Sequence, residues 1–380
     1  MKGGVKDYPV AEIDALRILE EKLGRLTLGL GIVGAILAEL PITPSRLLDT
    51  INRITNRDAT CYDRENATLK RFTFLVKLVD VCLSIFDHAD GPWSLASRMV
   101  KVSGCFAPSA VPLPILALAA HKVPEKHGGS MIWKKFLKRA ASCSCTCSHV
   151  KKTESEALSM LVRFGIARSS CRPDSVLFHE IIRLYSRRRG GSGVASAMVR
   201  AVSLRGSVSH SSEHLWAACF FLFGFGSDPV VIELKPSELT YFIKHVALPL
   251  SIHSFVTFSQ CNAALELLRL CTEALEVAAE SLVSRAEKWF DKSFCCLRPY
   301  HSDAQYNYLW QELALLKATV LETRAKLMLR GGKYDMADDL IRKSILIRTS
   351  IIGEHHPDTK SARETLSKLT RLLTNVQVTS

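Results

Sequence analysis

The sequence predicts a mainly α-helical fold carrying one small β-hairpin. Three observations predict it. Apolar residues recur at three- and four-residue spacing through most of the 380 residues. One stretch, Gly165–Phe178, breaks that rhythm with two short strand-like runs on either side of Pro173-Asp174, a hairpin signal. From Gly193 onward almost everything again reads as helix. With 47% hydrophobic residues the chain can bury sizeable cores, and its 14 Pro and 20 Gly gather into no long linker.

The first helix, Ala11–Leu23, aligns Ile13, Leu16, Leu19 and Leu23 on one face and ends at Gly24. Leu26–Leu40 reads as a more buried helix stopped by Pro41. Thr43-Pro44-Ser45 supplies a cap and an early proline for a helix over about Ser45–Ile54. Another helix covers about Leu69–Asp87. Pro92–Phe106 reads as helix, Pro108–Pro114 interrupts, and Ile115–Lys122 is short. After the basic stretch 121–152, Thr153-x-x-Glu156 forms a capping box for a helix to about Phe164. The hairpin follows, and His179–Arg189 returns to helix; helices followed by one small hairpin is the plan of a winged helix. Ala263–Ser284, Tyr308–Leu329, Ala337–Ile351 and Lys360–Leu373 complete the helical series.

The formal charge of +13 is concentrated. Residues 121–152 hold eight Lys/Arg and one acid, Glu125, and residues 181–205 hold six Arg and no acid. Such segments are either solvated surfaces or a site for phosphate groups, nucleic acid or an acidic partner. In the nucleic-acid reading Lys134, Lys135, Lys138 and Arg187–Arg189 grip phosphates. The 12 Cys are scattered, several within apolar helical patterns, and no secretory leader pattern opens the chain. A reducing compartment fits, and the expected location is cytoplasmic. No stretch meets the roughly 20 apolar residues of a membrane span.

The turn Gly332-Lys-Tyr334-Asp-Met-Ala337 has the Gly-x-Tyr-x-x-Ala pattern of the inter-helix turn of a tetratricopeptide (TPR) unit. Gly permits the tight turn, Tyr packs over it, and Ala lets the second helix approach the first. Ala325 and Leu321 stand where a small and a large residue are wanted on the first helix. Gly353-Glu-His-His-Pro357-Asp-Thr359 resembles the phrase that ends the extended repeats of kinesin light chains. His355 and His356 are assigned to that turn, because a zinc site wants further ligands. Gly29-x-Gly31-x-x-Gly34 matches a dinucleotide fingerprint but follows a helix, so it reads as helix packing. Cys143, Cys145, Cys147 and His149 have poor zinc spacing and read as a loop of small polar residues.

Residues from about 11 to 190 resemble the latter part of an NB-ARC module, the nucleotide switch of plant immune receptors and related signalling ATPases. Glu20–Leu30, with Gly24-Arg-Leu-Thr27, resembles the Gly-Leu-Pro-Leu-Ala motif of the helical ARC subdomain. Ala96–Phe178 is similar to the winged-helix subdomain, and Phe178-His179-Glu180 falls where the family has Met-His-Asp. With the terminal repeats, the order is that of the plant NB-ARC–TPR, disease-resistance-like class. The resemblance implies that His179 contacts the β-phosphate of ADP, that Glu180 orients it, and that Thr27 takes the place of the base-contacting proline. It also implies three segments: an ARC-like helical subdomain over 1–90, a winged helix over 91–192 with the insertion 121–152, and TPR-like repeats over 193–380.

No Gly-x4-Gly-Lys-Ser/Thr loop occurs in the sequence, so a phosphate cradle is missing and no catalysis is expected. The chain is thus expected to be the C-terminal part of such a protein, binding neither ADP nor ATP alone. It would act as a scaffold in plant defence signalling, with repeats that bind a protein partner and a sensor that works with a nucleotide-binding domain supplied in trans. Nucleic-acid binding by the winged helix is the second reading.

Overall fold

The computed structural model describes residues 8–54, 64–90, 94–123, 153–205, 208–223, 234–259, 261–293 and 301–379. The fold is mainly helical with a small three-stranded antiparallel sheet. The chain divides into two compact units, Met1–Ala201 and Val202–Ser380.

The first unit opens with α1 (Val10–Leu23), which buries Ala15, Leu19 and Leu23 at four-residue spacing. Gly24 stops it in the left-handed region at φ 60°. In α2 (Thr27–Glu39) the glycine run lies wholly within the helix. A Cβ on Gly29 would stand 2.6 Å from Leu23 Cδ2, so the Leu23 side chain would have to turn aside. The next helix, α3 (Pro44–Asn52), begins as its sequence predicts, with Thr43 Oγ1 accepting from the Arg46 amide at 3.4 Å. The Glu12 carboxylate accepts from the Ser45 amide at 2.8 Å and its hydroxyl at 2.7 Å, tying α1 to the start of α3. Two helices, α4 (Arg64–Arg71) and α5 (Thr73–Asp90), replace the single one expected over 69–87. Leu78, Val79, Cys82 and Phe86 of α5 are fully buried.

The winged-helix part follows. Its helices are α6 (Leu95–Ser103), α7 (Leu113–Lys122) and α8 (Glu154–Arg163), the last opened by a complete Thr153–Glu156 capping box. Strands β2 (Ala167–Ser169) and β3 (Ser175–Phe178) form the hairpin. A two-residue strand, β1 (Val111–Pro112), pairs with the other edge of β3, giving the order β1-β3-β2. Helix α9 (Glu180–Arg205) continues through the Gly190-Gly191 pair. Helical glycines cost about 1 kcal/mol each relative to Ala, and the buried run Val194, Ala197, Met198, Val199, Ala201 and Val202 offsets that cost.

The second unit holds α10 (Val208–Phe223), α11 (Pro236–Phe242) and α12 (Leu248–Phe258). Between the last two, Ile243–Ala247 forms a π turn, closed by the Leu248 amide on the Ile243 carbonyl. Pro249 has no N–H to give the normal ladder, which accounts for the wider turn. Four long helices follow: α13 (Cys261–Ser293), α14 (His301–Arg330), α15 (Tyr334–Ile352) and α16 (Pro357–Thr379), each packed on the next. Among the described residues no single helix is long and apolar enough to cross a membrane.

Candidate functional site

The residues singled out in the first unit centre on the junction where β3 runs into α9. β3 is the middle strand, so ladders on both sides fix its end: Val176 pairs with Val111 and with Ser169, and Phe178 pairs with Ala167. His179 is the one residue between strand and helix, and it caps α9. Its carbonyl accepts from the Arg183 amide at 3.1 Å, and its Nδ1 accepts from the Ile181 amide at 3.2 Å. With Nδ1 accepting, the neutral imidazole carries its proton on Nε2. The ring is exposed, so it presents an N–H donor outward. The bond that orients the ring thus comes from the Ile181 amide. Exposed Glu180 occupies the first turn of α9, where a carboxylate is favoured by the helix dipole.

Thr27 opens α2 and is exposed. No hydrogen bond among the described residues joins it to His179 or Glu180. The end of α8, however, meets α2 and α5 closely. Gly165, at φ 68°, lies against the backbone of Gly31 and Ile32. Arg163 grips Glu39 with two N–H groups, and the Phe164 and Phe86 rings meet edge to face at 5.2 Å.

Beside the junction lies a cavity of about 510 Å³ lined by Pro108, Phe178, Glu180, Arg183, Leu184 and Arg187. The last four recur at helical spacing and form one stripe of α9. His179 is not part of this lining. The arginines also have a structural role. Arg183, buried, donates Nη2 to the Phe106 carbonyl at 2.8 Å, and Arg187 donates Nε to the Gly104 carbonyl at 2.9 Å. The Gly104 carbonyl sits at the C-cap of α6 and the Phe106 carbonyl in the turn beyond it, and each receives an N–H donor from α9. Two of the six arginines of the basic run 181–205 are therefore built into the packing of α6 against α9. Arg187, one of the phosphate contacts of the nucleic-acid reading, holds the Gly104 carbonyl through its Nε. Arg188 is exposed. Lys134, Lys135, Lys138 and the Cys143–His149 run lie outside the described residues, as does the side chain of Arg189.

Nearby, Tyr185 is buried and donates to Asp80 Oδ1 at 2.5 Å, fastening α9 to α5. The sequence reading missed these roles of Arg183, Tyr185 and Arg187. The signal was the spacing of Arg183 and Arg187, four apart on a stripe flanked by buried Ile182 and Ser186.

In the second unit, Gly332 takes φ 74° in the turn from α14 to α15, and the Lys333 amide reaches back to the Met328 carbonyl at 2.9 Å. Ala337, Ala325 and Leu321 are buried, and Tyr334 is half-buried. Deeper in the pair, Ser344 Oγ donates to the Ala318 carbonyl at 2.8 Å. Arg348 forms a buried ion pair with Glu322 and donates to the Asp358 carbonyl at 3.0 Å and to Thr319 Oγ1 at 3.3 Å. Lys326 completes the group from the surface, 2.6 Å from Glu322. His356 Nδ1 accepts from the Asp358 amide at 3.2 Å, and Thr359 Oγ1 donates to the Gly353 carbonyl at 2.9 Å. His356 is thus part of the α15–α16 turn, and exposed His355 is its neighbour there.

A family model described as the winged helix domain in plant disease resistance proteins matches residues 85–197. The match runs from the end of α5 through the sheet into α9, so over this segment the chain is disease-resistance-like. No curated protein and no solved structure matches the chain.

Proposed function

We propose that this chain is a regulatory scaffold of a defence-related signalling protein of the NB-ARC–TPR kind, whose winged helix senses bound ADP and whose helical hairpins bind a protein partner. The observation that carries the reading is His179: within the matched segment it caps α9 with a ring held by the Ile181 amide and an outward Nε2–H. A donor fixed in this way suits a phosphate oxygen, since its geometry is set before the ligand arrives. Glu180 stands beside it, and Thr27 takes the base-contact position on α2. The phosphate cradle comes from a nucleotide-binding domain, which this reading requires because the sequence has no P-loop. The long helices α13–α16, stacked each on the next, supply the surface for a protein partner, as repeat arrays do.

The test supplies that domain. A nucleotide-binding domain from a plant disease resistance protein, loaded with fluorescent ADP, is mixed with the full chain and ADP release is followed. The wild-type chain is expected to slow release, and His179→Ala to lose the effect. Equal release with both chains, each shown to bind the domain, would remove the sensor role.

A further inference from the structure

We propose that the outer stripe of α11 and α12 docks an acidic amphipathic helix of a partner protein. Pro236–Phe258 is helical throughout, with the π turn inside it. Its inner side packs in the core: Phe242, Ile243, Val246, Ala247, Leu250 and Ser254 are completely buried. Its outer side carries Tyr241, His245, Pro249, Ile252 and Val256, at steps of four, four, three and four residues, the spacing of one helical face. Three of these are large apolar side chains left in water, Tyr241 at 44%, Ile252 at 43% and Val256 at 60% exposure. The Tyr241 ring lies against that of His245, with centroids 4.3 Å apart. Single exposed apolar residues are ordinary on a surface, but an aligned row marks an interface. A row roughly 22 Å long matches the apolar seam of one partner helix.

The charge around the row selects the partner. Lys235 at the start of α11 and Lys244 beside His245 are exposed, and neither has an ion pair or side-chain hydrogen bond among the described residues. The only acid between residues 235 and 258 is half-buried Glu238. Carboxylates flanking the apolar seam of a partner helix would therefore meet available cations. A second copy of this chain fits poorly, since pairing the stripe with itself sets lysine against lysine. Two lysines also fall short of the basic cluster, about four to eight residues, that holds an anionic lipid surface. The stripe belongs to α11 and α12, so the proposal does not rest on the α13–α16 surface or on ADP sensing.

The experiment is fluorescence anisotropy of the full chain with two labelled helical peptides of about 18 residues, long enough to span the stripe. Both carry leucines at helical spacing; one has glutamate and the other lysine at the remaining positions. Saturable binding of the acidic peptide is expected, at least about tenfold tighter than the basic one and weakened by salt. Ile252→Glu and Val256→Glu should each weaken it at least about tenfold, and both positions are exposed, so Tm should hold. Lys235→Glu combined with Lys244→Glu should reverse the preference toward the basic peptide. Val277→Glu, at a 64% exposed position on α13, should change nothing. Absence of saturable binding in a cooperatively unfolding chain would overturn the proposal, as would equal affinity for the two peptides. So would loss of binding with Val277→Glu but not with Val256→Glu, which would move the contact to the α13–α16 surface. Sedimentation with vesicles of phosphatidylserine and phosphatidylcholine, abolished by Val256→Glu, would assign the stripe to a lipid surface and equally overturn it.

Discussion

Gly104 and Arg187 are joined twice: the Gly104 carbonyl accepts from Arg187 Nε at 2.9 Å, and a Cβ on Gly104 would stand 2.7 Å from the Arg187 backbone nitrogen. The second contact is with backbone, as is another at 2.8 Å to the Arg183 carbonyl, so no rotamer change relieves it. Gly104→Ala is expected to destabilise the first unit by about 1–3 kcal/mol through overpacking. Urea unfolding followed by circular dichroism measures it. A midpoint equal to wild type would mean that α6 and α9 are less closely packed than described.

Arg348 and Glu322 are both buried, so each neutralises a charge the other would leave stranded. Arg348→Met or Glu322→Leu alone should cost about 3–5 kcal/mol, while the double variant should recover most of that loss. A double-mutant cycle in urea gives the coupling. Additive losses would show that the two act separately.

Ala337 is completely buried where α15 leaves the turn. Ala337→Phe should force α15 away from α14 and lower stability by about 1–3 kcal/mol. At exposed Met336 the same residue should be nearly neutral. Similar melting temperatures for the two variants would contradict the placement of the helix pair.

The hydrogen bonds from the Ser45 amide and hydroxyl hold the Glu12 carboxyl below its ordinary range. A group with a depressed folded-state pKa contributes stability above its unfolded pKa, and that contribution is lost as pH falls through the folded value. The wild type should therefore exceed Glu12→Gln in stability at neutral pH, with the gap closing as pH falls below the ordinary carboxylate range. Urea midpoints across that range test the sign; a gap that widens in acid would reverse it.

Local signals in the sequence carried much of the fold. The Thr153–Glu156 box, the Pro173-Asp174 turn and the glycine at 332 each act within a few residues, and each is found where it was expected. β1 was not legible, because Val111–Pro112 is a strand only by virtue of pairing with β3, some 60 residues on. The extension of α9 past Gly190-Gly191 was also missed, since burial of Val194 to Val202 overrides a weak local preference. At the candidate site His179 was singled out by resemblance alone. The inward roles of Arg183 and Arg187 were not, because composition counts a buried arginine and a solvated one alike.

The bond from Arg348 to the Asp358 carbonyl gives this end of the molecule a direction of assembly. The guanidinium that receives the first turn of α16 is itself placed by Glu322 on α14. A helix that emerges after α14 and α15 thus meets a donor site completed by the two before it. Nascent chains that stop short of residue 357 should already pair α14 with α15, and α16 joins a finished template instead of helping to build one.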